Sequence, residues 1–150
     1  MIVFNDPIPC ADHTERAVRL AIEMRDKVEE LSKHWGRQGY ALGFGIGIAA
    51  GYATLVQIGF EHRREYSAIG SVTNLASRLC DEARPGQILI AQRALSSIER
   101  SVKVSHVGDL NLKGFNRPIA AYDILSWCDE PQGADPSGIV SSEGGASSQD

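Results

Sequence analysis

From residue 17 onward the apolar side chains Ala17, Leu20, Ala21, Met24, Val28, Leu31 and Trp35 return every three or four positions. That is the period of a helix with one buried face. Asp12 followed by Glu15 has the form of a capping box at its start, and Gly36 and Gly39 supply the stop. The period then falls to two: Leu42, Phe44, Ile46 and Ile48 alternate with Gly43, Gly45 and Gly47. This predicts a strand with one face free of side chains, against which something packs closely. Gly51 turns the chain into a second strand over 52–58, and the pair reads as a β-hairpin. After the polar stretch 61–65 the pattern predicts a short strand at 66–69 and a helix at 72–83. A turn at Arg84-Pro85-Gly86 leads to a strand at 88–91, a helix at 91–98, and strands at 102–107 and 120–125. Ile2-Val3-Phe4 reads as a buried strand with no lead-in, so the front of the domain is expected to be missing. The class is α/β or α+β.

Composition narrows the function classes. The chain of 150 residues is 43% hydrophobic and 23% charged, one domain's worth of core, with no apolar run near the ~18 residues of a membrane span. Fifteen basic and nineteen acidic side chains give a net charge of −4, the wrong sign for non-specific nucleic-acid binding. Cys10, Cys80 and Cys128 lack any paired spacing, so a reducing, cytoplasmic setting is expected. Residues 126–150 contain twelve Gly, Pro or Ser, five acids and no Lys or Arg, the composition of a disordered tail. The body, 1–125, then carries about +1.

Most candidate chemistry dissolves on inspection. The run GFGIGIAAG leads into a strand instead of a helix and lacks G-K-[ST], which argues against a phosphate loop. His13, His34, His62 and His106 have no partner at metal-ligand spacing, and no G-x-S-x-G is present. The segment YSAIGSVTNLASRL differs. On a helical wheel with Val72 at zero, Leu75, Ala76, Leu79 and Ala83 fall within about 60° of it, while Asn74 and Arg78 fall near about 200° and 240°. An amide and a guanidinium therefore share the side opposite the core.

At this segment the sequence resembles the catalytic domain of class III nucleotidyl cyclases. The likeness extends over GIGIAAGYATLVQIG, REYSAIGSVTNLASRL, ARPGQILIA and GDLNLKGFNRPIAAYDIL, in that order and within 1–125. It implies a ferredoxin-like α/β sandwich and a head-to-tail homodimer or heterodimer whose sites draw residues from both chains. The activity it implies is that of a phosphorus–oxygen lyase making 3′,5′-cyclic AMP and diphosphate from ATP in intracellular signal transduction. By that resemblance Asn74 and Arg78 stabilise the transition state and Lys113 binds the terminal phosphates. Ser67 takes the base-selecting position, favouring ATP over GTP.

The departures are specific. The family holds two Mg ions with two aspartates, one ending the first strand and one in a Gly-Asp turn before the strand matched by residues 1–4. Neither position exists in this chain, nor does the second base-selecting residue, usually a lysine. Asp6 and Asp12 lie after that strand and are not metal ligands by this match. The chain alone is therefore expected to be inactive. Two alternatives stand beside a partial catalytic domain: a non-catalytic module that dimerises with an active cyclase, and an unrelated ferredoxin-like ligand-binding domain indifferent to Asn74, Arg78 and Lys113. Any membrane tether would lie in a region upstream.

Overall fold

The computed structural model describes residues 1–40, 42–60 and 63–128. Helix α1 (His13–Gly36) is followed by β1 (Ile46–Ile48), β2 (Thr54–Phe60), β3 (Arg63–Ile69) and α2 (Ser71–Glu82). Then come β4 (Ile88–Ala91), the short α3 (Gln92–Leu95), β5 (Val102–Leu110) and β6 (Ile119–Trp127). Four strands form one sheet in the order β1-β4-β6-β5, with β1 parallel to β4 and the other pairs antiparallel. Strands β2 and β3 make a separate two-stranded ribbon.

Strand β4 shows why this sheet is central. All four of its residues are buried, the unbroken apolar run expected of a strand covered on both faces. Ile88 and Ile90 pack on one side with Val18 and Ala21 of α1, Ala94, Leu95 and Ile124. Leu89 and Ala91 pack on the other with Leu79 of α2, Leu112 and Ala121. The carboxylate of Asp123 on β6 accepts hydrogen bonds from the Ile88 amide at 3.2 Å and the Gln87 side chain at 3.1 Å, pinning the start of β4.

The mixed α/β class, the long first helix and the helix expected at 72–83 are found, but several local expectations are corrected. Residues 1–4 form no strand, and Met1, Ile2 and Val3 are exposed. Among the described residues nothing pairs with them, and an isolated extended segment gains no ladder hydrogen bonds. The expected hairpin of 42–48 with 52–58 does not form. Instead β1 joins β4 across the α2 crossover, and β2 pairs with β3 from Thr54↔Ile69 to Phe60↔Arg63. The Gly86 amide donates to the Phe44 carbonyl at 2.8 Å and the Ile46 amide to the Gln87 carbonyl at 3.0 Å, so the Arg84-Pro85-Gly86 turn returns the chain alongside β1. Strand β3 absorbs 63–65 of the expected polar excursion; residues 61 and 62, including His62, lie outside the described residues.

The helix expected at 91–98 ends at Leu95, with a 3-10 turn at Glu99–Ser101. Strand β6 continues to Trp127, two residues into the expected tail, and residues 129–150 of that tail lie outside the described ones. Asp12 makes no side-chain cap. Its carboxylate pairs with Arg16 one turn on, at 2.9 Å, a partner the capping box left out of account.

Candidate active site

The glycine face of β1 is occupied as its sequence requires, and the occupant is α2. A Cβ built on Gly47 would collide with the Ala76 carbonyl oxygen and the Cys80 amide nitrogen, both backbone atoms of the helix. One built on Gly45 would lie 2.8 Å from Ala83, and one on Gly43 2.9 Å from Pro85. Contacts that short force a shift, so only glycine admits the helix backbone to this distance. On its inner side α2 buries Leu79 completely. The helix is thus fixed in position by main-chain contact on one side.

The opposite side carries the polar pair. Asn74 is exposed, and Arg78, one turn further along the helix, is partly exposed, as the helical wheel predicts. The guanidinium of Arg78 donates from Nη1 to Asp81 Oδ2 at 3.0 Å. Asp81 escaped the reading of the sequence, although a carboxylate three residues after an arginine is a recognisable helix-surface pair. At the helix start Thr73 Oγ1 donates to the Gly70 carbonyl at 2.7 Å, tying the first turn to the end of β3.

Lys113 stands on a turn anchored in the core. In LKGF, Leu112 is buried and Phe115 packs on the same cluster as Leu75 and Leu79 of α2. Between these anchors Gly114 adopts φ +90°, and the Phe115 amide closes the turn onto the Leu112 carbonyl at 3.1 Å. Exposed Lys113 is therefore carried by a turn that packs on the inner side of α2, the side opposite Asn74 and Arg78. Ser67 stays apart on the β2–β3 ribbon, where it pairs with Val56.

The donor set for metal ions is poor. Among the described residues no group of three or more His, Cys, Asp or Glu is placed to hold an ion. The carboxylates of Asp12 and Asp81 are engaged by Arg16 and Arg78. The described buried side-chain oxygen without a hydrogen-bond partner is Asp6 Oδ2, a single ligand where magnesium takes six oxygens. These residues do not fit a pair of magnesium ions.

A groove of about 580 Å³ opens on the other flank of β1, between α1, α2 and residues 1–5. Leu20, Met24, Ile46, Val72 and Ala76 are among its walls, giving it a largely apolar lining. No described helix is long and apolar enough to cross a membrane.

Comparison with known proteins identifies the family. Residues 1–126 match the family model of the adenylate and guanylate cyclase catalytic domain. The structure of the adenylyl cyclase CyaB from P. aeruginosa superposes with a TM-score of 0.71 at 30% identity, covering 82% of this chain and 65% of that one. The guanylate cyclase domain of RhGC from Catenaria anguillulae, solved in complex with GTP, shares the fold with a TM-score of 0.73 at 20% identity, over 83% of this chain and 65% of that one. Adenylate cyclase 1 of Rhizobium meliloti is 24% identical over 126 residues, 82% of this chain and 19% of its own length. Uncharacterized proteins of Mycobacterium bovis and Mycobacterium tuberculosis are 35% identical over 79 residues, 50% of this chain and 15% of their own length, so the chain spans a minor part of the length of these relatives. With its family match running from the first residue into β6, and a ferredoxin-like cyclase fold around α2, the chain belongs to the adenylate and guanylate cyclase catalytic domain family.

Proposed function

We propose that this chain supplies the phosphate-facing half of a nucleotidyl cyclase site, with ATP preferred over GTP. In the reaction the ribose 3′-oxygen attacks the α-phosphorus, a new P–O bond closes the ring, and the bond to the β-phosphate breaks to release diphosphate. Arg78 places a fork of N–H donors against the phosphoryl group as charge builds on it. Asn74, one turn away, orients the ribose. Lys113 brings a compact positive charge to the terminal phosphates, and Ser67, able both to donate and to accept, favours adenine.

The observation that carries this reading is the seating of α2. Its inner side is locked by backbone contact with Gly45 and Gly47, while the side bearing Asn74 and Arg78 remains open. A helix that must hold two groups in register for a transition state gains from such fixing, because preorganised donors need not reorganise as the reaction proceeds. The magnesium ions that accompany this chemistry in the family require carboxylates from elsewhere, and a partner cyclase domain in a homodimer or heterodimer is the source we favour. The chain alone is then inactive, and its product serves cyclic-nucleotide signalling in the cytoplasm. The unpaired state of Cys10, Cys80 and Cys128 suits that compartment.

The test is complementation. This chain is mixed with a cyclase domain that keeps its metal-binding carboxylates but has lost its own Asn/Arg pair. Cyclic AMP formed from ATP only in the mixture supports the proposal. No product from either nucleotide refutes it, faster turnover of GTP refutes the base assignment, and inhibition of an intact cyclase identifies a decoy instead.

A further inference from the structure

We propose that Asp81 gates Arg78: it holds the guanidinium in a resting position, and a phosphoryl group of the nucleotide must displace it. This rests on the reading of Arg78 as a phosphate-binding group. The contact runs from Arg78 Nη1 to Asp81 Oδ2 at 3.0 Å, with the two side chains 42% and 58% exposed. Asp81 lies three residues toward the C-terminus and Asn74 four toward the N-terminus. Helical side chains lean toward the N-terminus of their helix, so an unpaired Arg78 would lean toward Asn74. The bond to Asp81 occupies Nη1 and draws the guanidinium the other way, away from a ligand shared with Asn74.

Stability alone would not place the carboxylate there. The last turn of α2 contains Asp81 and Glu82 and no basic residue, at the helix end where negative charge is disfavoured by the macrodipole. In α1 the pairs Asp12–Arg16, Glu15–Arg19 and Glu29–Lys33 set the acid before the base, the order that suits the dipole, while Lys27–Glu30 in mid-helix sets the base first. The Arg78–Asp81 pair shares that reversed order but places its acid in the last turn of its helix. An acid in an unfavourable place, bonded to a cation proposed to engage phosphate, fits a group that acts on the arginine's availability. Because both partners are exposed, the bond is weak enough for a triphosphate to break.

The test is titration of the whole chain with a fluorescent ATP analogue and with inorganic triphosphate, in chelator so that metal bridging through Asp81 is excluded. Asp81→Asn is expected to tighten both by about two- to tenfold, from loss of the competing pair and of one negative charge. In an Arg78→Ala background the same change should do much less. Weaker binding on Asp81→Asn, or an undiminished gain without Arg78, overturns the gate. If Arg78→Ala leaves affinity unchanged, the underlying reading of Arg78 falls and the gate with it. If Arg78→Ala weakens binding while Asp81→Asn leaves it unaltered, the gate alone falls. A measurement on the unaltered chain needs no variant to fold: saturating triphosphate should shift the NMR signals of the Arg78 guanidinium and the Asp81 carboxyl carbon together. A still Asp81 signal contradicts the proposal.

Discussion

Helices α1 and α2 are both amphipathic, yet they meet the sheet in different ways. Over its 24 residues α1 lays Val18 and Ala21 into the core and lines its solvent side with ion pairs among its own side chains. In its last turns Leu31 and Trp35 are exposed. The 12 residues of α2 sit backbone against backbone on Gly47 of β1, with Gly45 against the C-cap residue Ala83, and the outer side carries an amide and a guanidinium. Side-chain packing tolerates small shifts of α1, because flexible groups can readjust. A helix resting on bare glycine has no such slack. The difference teaches that α1 builds the core and α2 positions a site.

The largest expected effect follows from that contrast. Gly47→Ala pushes a methyl group into the α2 backbone and should destabilise the fold by about 3 kcal/mol or more, read as a lower urea midpoint with the slope unchanged. A neutral result would break the comparison. At the end of α1, a Cβ on Gly36 meets nothing within 4 Å. Gly36→Ala should therefore raise stability by about 0.5–1 kcal/mol.

The smallest effect concerns the α1 ion pairs. The hydrogen bond from Arg16 holds the Asp12 carboxyl below its ordinary 3.8. A depressed carboxyl pKa adds stability above the unfolded-state value, and that contribution disappears as pH falls through the folded-state value. Wild type and Asp12→Asn should therefore differ slightly in unfolding midpoint at neutral pH and converge once the carboxyl is protonated. Both side chains are exposed, so a large difference would mean that α1 depends on its surface in a way the core contacts do not suggest.

Much of this was legible in the sequence wherever the signal was local. The 3.6-residue period placed the Asn74/Arg78 side of α2, and three alternating glycines announced a close neighbour for β1. The anchoring of the turn around Lys113 was not legible, because Leu112 and Phe115 pack with residues of α2 that are distant in the chain. Pairing was not legible. Adjacency along the chain favoured β1 with β2, whereas β1 lies beside β4 some forty residues later, and no local pattern carries that information. Ile2-Val3-Phe4 has a strand's composition but no partner among the described residues. Asp81 was not legible as part of the site, because a carboxylate near the end of an exposed helix side is ordinary solvated surface.

The most direct test of the account is to measure, in the complemented mixture, the rate of cyclic AMP formation and the unfolding midpoint of this chain before and after Arg78→Ala. The account predicts a rate lower by about 10² to 10³-fold with the midpoint unmoved, since the side chain stands on the open side of a helix seated elsewhere. An undiminished rate, or a loss of activity that merely follows a loss of folding, would contradict it.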